Sequence, residues 1–303
     1  MLLDSAEAFE DQAVNHRSEL LVHCYRMLGT IDEAEDAVQE TLARAWQGRQ
    51  SFRRSVSVRA WLYRIATNVC LNAIEMRKRD RADAEFAIGP CPDELLVGIA
   101  SPETGPEARF DVHESISLAF LTVLQVLPPR QRAVLLLRDV LAFRAAEVAV
   151  LLEMSVPAVT SALQRARNTI RVSYSRRPDA PVPAILLERY VRAWEAADVA
   201  GLVALLREDA VLAMPPMPTV IGSVPIGSFL AESIFSMGPM RLRVSGANGV
   251  PAFGLYVQHP EPGRFALFAL LVIASDGHQI NRIDAFADPR VAERFGLPAE
   301  LAG

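Results

Sequence analysis

Apolar residues recur at helical spacing through residues 10–80 and predict a bundle of helices. In LLVHCYRMLGT the spacing is three and four residues, and Gly29 ends the predicted helix. A second helix is predicted over 33–47, and a long third helix follows the polar, basic break RQSFRRSVS. The apolar positions that mark this third helix are Trp61, Ile65, Val69 and Ile74.

Residues 81–110 differ in composition from the segments on either side. They contain four prolines and three glycines, which predicts a linker. Helical patterns resume over 111–175, where the short helix AAEVAVLLEM precedes a turn of about four residues and the helix SVPAVTSALQRARNTIRV. Ser155 is the predicted N-cap of the second of these helices. Two short helices joined in this way predict a helix-turn-helix.

A second linker, the proline-rich RRPDAPVP at 176–183, precedes an α+β tail over 184–299. The tail opens with the amphipathic stretch AILLERYVRAWEAADVAGLVALL. Short β-like runs with turn signals follow, and they predict about four or five strands. The predicted fold class is therefore multidomain, with two all-α domains followed by one α+β domain.

Composition restricts the class of protein. A chain of 303 residues with 51% hydrophobic residues predicts two or three packed domains rather than disorder. The net charge of −5 argues against a protein that coats nucleic acid without specificity. The three cysteines are too few and too scattered for a disulfide framework or a zinc site, so buried thiols are predicted for Cys24 and Cys70. No metal or cofactor is expected.

The chain lacks the signals of export or membrane insertion. Its N-terminus, MLLDSAEAFEDQ, is acidic and has no signal-peptide pattern. No run of about 18 apolar residues predicts a membrane span. We therefore expect a cytoplasmic protein.

Charge is segregated along the chain. Residues 32–40 hold five acids and no basic residue, whereas residues 154–178 hold five arginines and no acid. In the acidic segment, Asp36, Gln39 and Glu40 share one helical face. An apolar edge beside that face consists of Val38, Leu42 and Trp46. Such a face is either a solvated helix surface or a docking surface for a basic protein partner.

Two further segments have the composition of nucleic-acid-binding surfaces. From Arg53 to Arg81, eight basic residues and two acids are interleaved with Trp61 and Tyr63, a combination that holds a single strand. A core position is the alternative for both rings. It fits Tyr63 equally well, whereas Trp61, at the start of its helix, is expected near the surface. On the helix from Ser155, small and polar outward residues suit a major groove. Its arginines, which would meet phosphates or guanine edges, are Arg165, Arg167 and Arg171. The alternative is a solvated arginine face on a plain helical hairpin.

Together these features resemble an extracytoplasmic-function (ECF) sigma factor of bacterial RNA polymerase. HCYRMLGTIDEAEDAVQETLARAW and SFRRSVSVRAWLYRIATNVCLNAI resemble the two halves of sigma region 2. LPPRQRAVLLLRDVLAFRAAEVAVLLEMSVPAVTSALQRARNTIR resembles region 4. The resemblance implies a region 2 bundle at 10–80 and a region 4 helix-turn-helix at 111–175. It also implies two partners: core RNA polymerase, through its β′ clamp helices and β flap, and promoter DNA.

The resemblance further implies which residues contact each partner. Asp36, Gln39 and Glu40 match the motif that docks on the clamp helices, and Trp61 matches the upstream edge of the melted −10 element. The implied polymerase contacts are Asp36, Gln39, Glu40 and Trp46. The implied −10 contacts are Arg53, Arg54, Ser57, Arg59, Trp61, Arg64 and Asn68. The implied −35 contacts are Ser155, Ala158, Ser161, Gln164, Arg165, Arg167 and Asn168.

The tail from Ala184 resembles a SnoaL-like domain, a cone-shaped α+β fold shared with polyketide cyclases and ketosteroid isomerases. The stretch that carries this resemblance is LLERYVRAWEAADVAGLVALLREDAVLAMPP, and ECF factors with such a tail form a subgroup. Cones of this kind enclose an apolar pocket, for which a small molecule is the candidate ligand. The candidate pocket residues are Trp194, Met214, Met217, Tyr256 and Asp284.

Catalysis in the pocket would require an interior acid or histidine paired with an oxyanion donor. Asp198 and Asp209 have positions typical of helix and strand caps. His278 follows Asp276 and Gly277 in a turn, which leaves Asp284 as a lone interior acid. We therefore predict that the chain is not an enzyme and that the tail modulates the sigma domains.

Two other interpretations are compatible with the sequence. One is a cyclase or isomerase with a DNA-binding head, which would lose its activity when the tail is removed. The other is a helix-turn-helix repressor that senses a ligand through the cone and binds duplex DNA without polymerase.

Overall fold

The computed structural model describes residues 6–52, 57–80, 88–96, 116–173, 180–259 and 263–302. The chain divides into two compact units, residues 1–176 and 177–303. The division falls at the start of the predicted linker 176–183. The two helical segments that precede it, which we call the N-terminal bundle and the helix-turn-helix half, belong to one unit.

The N-terminal bundle consists of α1 (Ala6–Leu28), α2 (Ile31–Gly48), α3 (Val58–Asp80) and the single turn α4 (Asp93–Leu96). Gly29, at φ +93°, ends α1 as predicted, because glycine adopts the left-handed backbone at little cost. The long helices bury Tyr25, Leu62 and Ile74, each at most 1% exposed. Helical spacing thus places one apolar stripe of each helix in a common core.

Part of the predicted linker packs against this bundle. The Gly89 N–H donates to the Gly29 carbonyl at 3.0 Å, and the Tyr25 hydroxyl donates to the Gly89 carbonyl at 2.7 Å. Cys91 is buried, as are Cys24 and Cys70. Residues 88–96 of the predicted linker 81–110 are therefore ordered against the bundle. Glycine and proline prevent a helix in this segment, and its free backbone groups instead hydrogen-bond with the turn after α1.

The helix-turn-helix half consists of α5 (Leu118–Val126), α6 (Pro129–Leu135, continued by a π-helical turn, Leu136–Val140), α7 (Ala145–Leu151) and α8 (Val156–Ser173). The α7 and α8 axes are bent by 101°, within the range of a helix-turn-helix. Among the described helices, none is by itself long and apolar enough to cross a membrane; α7 and α8 meet that criterion only as a bent pair.

The second unit is an α+β domain built on a seven-stranded sheet among its described residues. Its helices are α9 (Ala184–Glu195), α10 (Val199–Leu205), α11 (Ser223–Phe229, continued by the π-helical turn Leu230–Ile234) and α12 (Pro289–Glu293). Its strands are β1 (Leu206–Met214), β2 (Met217–Ile221), β3 (Met240–Ala247), β4 (Val250–Gln258), β5 (Arg264–Ser275), β6 (Ile280–Phe286) and β7 (Glu300–Ala302).

The strand order is β2-β1-β6-β5-β4-β3, with β7 paired to β5. The pair β1–β6 is parallel and the others are antiparallel. The count of four or five strands is corrected to seven. Three-residue β7 is too short to show alternation, and five-residue β2 is a largely exposed edge strand that contains a proline.

Helices α9 to α11 supply one side of the core of this unit, and the sheet supplies the other. Leu186, Tyr190 and Trp194 from α9 are buried with Phe253 and Ile273 from the strands. The Asp198 side chain accepts from the Gly201 N–H at 2.8 Å and caps α10, as its position predicted. The predicted fold class, two helical domains and an α+β tail, is confirmed.

Candidate functional site

The acidic face of α2 is open to solvent. Asp36, Gln39 and Glu40 are all exposed, while Val38 on the adjacent face is 1% exposed. Val38 therefore belongs to the core rather than to the predicted apolar edge. Glu40 accepts from Arg44 one turn later at 2.6 Å. At the far end of α2, Trp46 is 37% exposed, and the Arg49 guanidinium lies 3.6 Å from its ring centre.

The predicted −10 residues lie around the start of α3, except Arg53 and Arg54, which are outside the described residues. The Ser57 hydroxyl accepts from the Ala60 N–H at 3.1 Å and caps the helix. Trp61 is half-buried, with its ring centre 5.0 Å from that of Phe52. Asn68 is half-buried two turns later. The described −10 residues thus lie on α3 or at its N-terminal cap.

Arg59 is held in place from two directions. Its Nε donates to Glu19 at 3.0 Å, and its guanidinium lies 5.0 Å from the ring centre of Tyr63 and 5.1 Å from that of Phe143. Burial lowers the pKa of Arg59, but the hydrogen bond of Glu19 and the charges of Tyr63 and Glu19 outweigh this, so that the pKa is raised. Tyr63 is fully buried and its pKa is raised by burial, so this ring is a core residue and not a base-stacking platform.

The N-terminal bundle and the helix-turn-helix half are joined by polar contacts. Arg64 on α3 donates to Glu153, in the turn between α7 and α8, at 2.7 Å. Arg132 on α6 is 1% exposed and donates to the Met27 carbonyl at the end of α1. Arg132 also donates to the Gln125 carbonyl at 3.0 Å. Burial lowers the pKa of Arg132 to about 10, so it remains a cation at neutral pH.

The predicted −35 residues line the outer side of α8. Ala158 is half-buried, and the exposed residues are Ser155, Ser161, Gln164, Arg165, Arg167 and Asn168. The Ser155 hydroxyl accepts from the Ala158 N–H at 3.3 Å, as predicted for an N-cap. Arg167 makes a bidentate ion pair with Asp139 at 2.8 and 2.7 Å. This pair raises the pKa of Arg167 and occupies its guanidinium.

The second unit encloses an apolar cavity between α9, α11 and the sheet. Its volume is about 20 Å³, room for about one water molecule. All of its lining residues are apolar or aromatic; they include Trp194, Met214, Phe229, Leu255, Phe268, Ile283 and Ala285. Trp194 is 2% exposed, and its indole Nε1 has no hydrogen-bond acceptor among the described residues.

The placement of three candidate pocket residues is corrected. Asp284 lies on the sheet face opposite the cavity, because its neighbours Ile283 and Ala285 line the cavity and side chains alternate along a strand. Arg282 donates to both carboxylate oxygens of Asp284 at 2.7 Å. Tyr256 follows the lining residue Leu255 and donates to the Pro298 carbonyl at 2.9 Å. Met217, on β2, is 52% exposed. Period-two alternation along β4 and β6 is the signal that would have separated the two faces.

Asp209 and His278, the other residues considered for catalysis, also lie outside the cavity. Asp209 is within β1, not before it, and forms an ion pair with Arg207. The Asp276 carboxylate accepts from the backbone of His278 at 3.0 Å, which places this histidine in the turn between β5 and β6. Over the part of the chain that the structure describes, no three His, Cys, Asp or Glu side chains are grouped to hold a metal ion.

Two families match successive segments of the chain. Residues 14–81 match Sigma-70 region 2, and residues 117–170 match Sigma-70, region 4. The chain is 39% identical to the ECF RNA polymerase sigma factor SigG of Mycobacterium tuberculosis, over 94% of this chain and 83% of SigG. It is 32% identical to the ECF RNA polymerase sigma factor SigW of Bacillus subtilis, over 54% of this chain and 88% of SigW.

A solved structure matches the fold of nearly the whole chain. The crystal structure of the M. tuberculosis extracytoplasmic function sigma factor SigJ has a TM-score of 0.66 and 22% sequence identity. The match covers 95% of this chain and 99% of SigJ, so it includes the α+β unit as well as the helices.

Proposed function

The chain belongs to the extracytoplasmic-function (ECF) RNA polymerase sigma factors, and we propose that its α2 face binds core polymerase while α3 and α8 contact promoter DNA. The observation that carries this proposal is the separation of charge on exposed helix faces. Asp36 and Glu40 face solvent on α2, and Arg165 faces solvent on α8. An acidic face repels DNA and attracts a basic protein surface, whereas an arginine face does the reverse.

In this proposal, the α2 face contacts the β′ clamp helices of polymerase. Helix α3 contacts the −10 element, and α8 contacts the −35 element. The second implied polymerase contact, the β flap, would fall to the helix-turn-helix half. The arrangement of α8 supports the −35 assignment, because its N-terminal half presents small and polar side chains of the size that enter a major groove. Because bacterial RNA polymerase acts in the cytoplasm, we propose that this protein acts there too.

Run-off transcription with purified bacterial core polymerase and a genomic promoter library tests this function. Specific transcripts are expected with residues 1–303, and they should vanish when Asp36, Gln39 and Glu40 are all replaced by alanine. Exposed substitutions of this kind change folding stability by about 0.5 kcal/mol or less, so a loss of transcripts would reflect lost docking. Tight binding to duplex DNA without polymerase, and no specific transcript, would contradict the proposal and favour a repressor.

We propose that the SnoaL-like tail modulates the sigma domains and does not catalyse a reaction. The wholly apolar cavity lining supports this, because acid–base chemistry needs a titratable group that reaches the reacting atoms. A domain tethered by a short linker acts at an effective concentration on the order of millimolar, so weak contacts suffice for control. The ratio of transcripts from residues 1–303 and residues 1–176 measures the direction of that control.

The ligand that we propose for the cavity is a small apolar molecule, because every lining residue is apolar or aromatic. Half-buried Met214, Phe229 and Phe268 are the lining side chains that would move to enlarge the cavity. Cyclohexanone and methylcyclohexane are matched probes, because they have similar size and only the ketone has an acceptor.

Ligand-observed NMR on the full chain measures the affinity for each probe. We expect the hydrocarbon to bind about two- to tenfold more tightly, because burial of the ketone oxygen without a hydrogen-bond donor costs free energy. Binding of neither probe would contradict a ligand role and leave the tail as a packing domain.

A further inference from the structure

The two outer strands of the sheet in the second unit differ in the side chains that they expose. Strand β3, at one end of the strand order, exposes Arg241 and Arg243. Charged side chains on an edge strand prevent it from pairing with another chain. Strand β2, at the other end, exposes Met217 and Ile221, which are 52% and 64% exposed and carry no charge. One edge of this sheet is thus charged and the other is apolar.

The apolar edge forms a continuous exposed surface, which we call the β2 face and define as Met217, Thr219, Ile221 and Val224. The first three share one side of β2, because side chains alternate along a strand. Val224, in the first turn of α11, is 69% exposed. Prolines flank these residues and fix the local backbone, so covering the surface costs little conformational entropy. The exposed prolines are Pro215, Pro216, Pro218 and Pro225.

The absence of charge extends along the whole segment that carries the β2 face. Residues 210–231 contain no charged residue, although 22% of the residues in the chain are charged. At the rim, Asp209 is paired with Arg207, and Asp284 with Arg282. Nucleic acid and anionic membranes are attracted by basic residues, and charged protein surfaces by residues of opposite charge. The β2 face is complementary to none of these, and it matches a second apolar surface without charge.

We propose that two copies of this chain form a dimer through their β2 faces. A two-fold axis places a side chain close to the same residue of the other copy, so a charge near the axis would meet its like. The β2 face avoids this repulsion, and every copy of the chain carries it. Side chains make the contact rather than a continued sheet, because Pro218 has no N–H to donate to a neighbouring strand.

The size of the β2 face sets the strength of the dimer. Burial of Met217, Ile221 and Val224 from each copy drives the association. So few anchoring side chains make an interface at the small end of the range for specific complexes, and we expect a dissociation constant on the order of 10 μM.

Sedimentation velocity of the full chain between about 1 and 100 μM measures the dimer. Ile221→Asp should weaken it at least about tenfold, because apolar burial is lost and two carboxylates meet near the axis. Val244→Asp is the matched control, since it adds the same charge to a 72% exposed valine on the opposite edge strand, β3. This control should dimerise like the parent. Both variants replace exposed side chains and should keep the thermal stability of the parent.

A mixing experiment tests the two-fold arrangement. Ile221→Lys should also be monomeric, but an equimolar mixture with Ile221→Asp should recover dimers, because opposite charges then meet across the axis. A mixture that stays monomeric would overturn the proposal, as would a parent that is monomeric at about 100 μM. Equal effects of Ile221→Asp and Val244→Asp would overturn it as well. These measurements use neither polymerase nor DNA, so failure of the dimer and failure of the proposed polymerase function give separate results.

Discussion

The Nε2 of His23 donates a hydrogen bond to the Thr67 hydroxyl at 2.9 Å inside the N-terminal bundle, and that hydroxyl donates in turn to the Tyr63 carbonyl at 2.7 Å. This chain of hydrogen bonds requires a proton on Nε2 of the imidazole. His23 is fully buried, and its Nδ1 has no partner among the described residues. Burial, followed by the charges of Arg26 and Arg59, lowers the pKa of His23 from 6.5 to about 3.

The first prediction concerns the pH dependence of stability. The unfolded chain binds a proton at His23 below pH 6.5, but the folded chain does so only near pH 3. Stability is therefore complete above pH 6.5 and falls as the pH decreases toward 3, by roughly 3–5 kcal/mol in total. Urea unfolding of the full chain at a series of pH values should show a flatter profile for His23→Gln, which keeps a donor to Thr67 but does not titrate.

His278→Gln is the control for that experiment, because this histidine is exposed in a turn of the second unit. It should follow the parent profile throughout. Equal slopes for His23→Gln and the parent would show that His23 has the same pKa in the folded and unfolded chains.

The second prediction concerns the buried cation at the junction of the two helical halves. Replacing Arg132 by alanine leaves a cavity and removes the donor to the Met27 and Gln125 carbonyls, so we expect a loss of at least about 3 kcal/mol. The exposed neighbour Arg130 should tolerate alanine within about 0.5 kcal/mol. Chemical denaturation measures both values. A loss below about 1 kcal/mol for Arg132→Ala would mean that water or another side chain satisfies these carbonyls.

The third prediction concerns the polymerase face of α2. Glu40→Ala should weaken binding of the full chain to core polymerase about tenfold, in the range of a charged interface contact. Glu75→Ala, an exposed acid on α3, should leave the affinity unchanged. Fluorescence anisotropy with labelled protein gives both constants. Equal weakening by the two variants would point to a general charge effect and away from a docking face.

The fourth prediction compares two arginines of α8. Arg165 is exposed and makes no ion pair among the described residues, whereas Arg167 is held by Asp139. We expect Arg165→Ala to weaken binding of the polymerase complex to a −35 duplex by about 1–3 kcal/mol if it contacts a base. Arg167→Ala should have a smaller effect, since its guanidinium is already engaged.

Asp139→Asn supplies the complementary test, because it releases Arg167. Affinity for the duplex should then rise, and its salt dependence should steepen by about 0.9 if Arg167 reaches a phosphate. A stronger effect of Arg167→Ala than of Arg165→Ala would show that the pair with Asp139 orients Arg167 toward DNA.

Several features were predictable because each depends on residues close together in sequence. Three- and four-residue spacing is enough to place Asp36, Gln39 and Glu40 on one exposed face of α2. Ser155 and Asp198 were identifiable as caps, since a cap acts on an N–H three residues later. The buried state of Cys24 and Cys70 follows from the same apolar periodicity.

The contacts that join the two helical halves depend on residues far apart in sequence. Arg64 and Glu153 are 89 residues apart, and Arg132 and Met27 are 105 apart. No local pattern distinguishes an arginine that binds DNA from one that is paired within the fold. The side of the sheet on which Asp284 lies likewise depends on the register of β6 against β1 and β5.

The sequence by itself determined the helical segments, the linker before the tail, the acidic and basic faces and the family resemblance, because periodicity, capping and charge are local properties. Only the tertiary structure decided that Tyr63 is core, that Asp139 occupies Arg167 and that the tail cavity contains no acid. Burial and ion pairing are set by which distant segments meet, and that is a property of the packed chain as a whole.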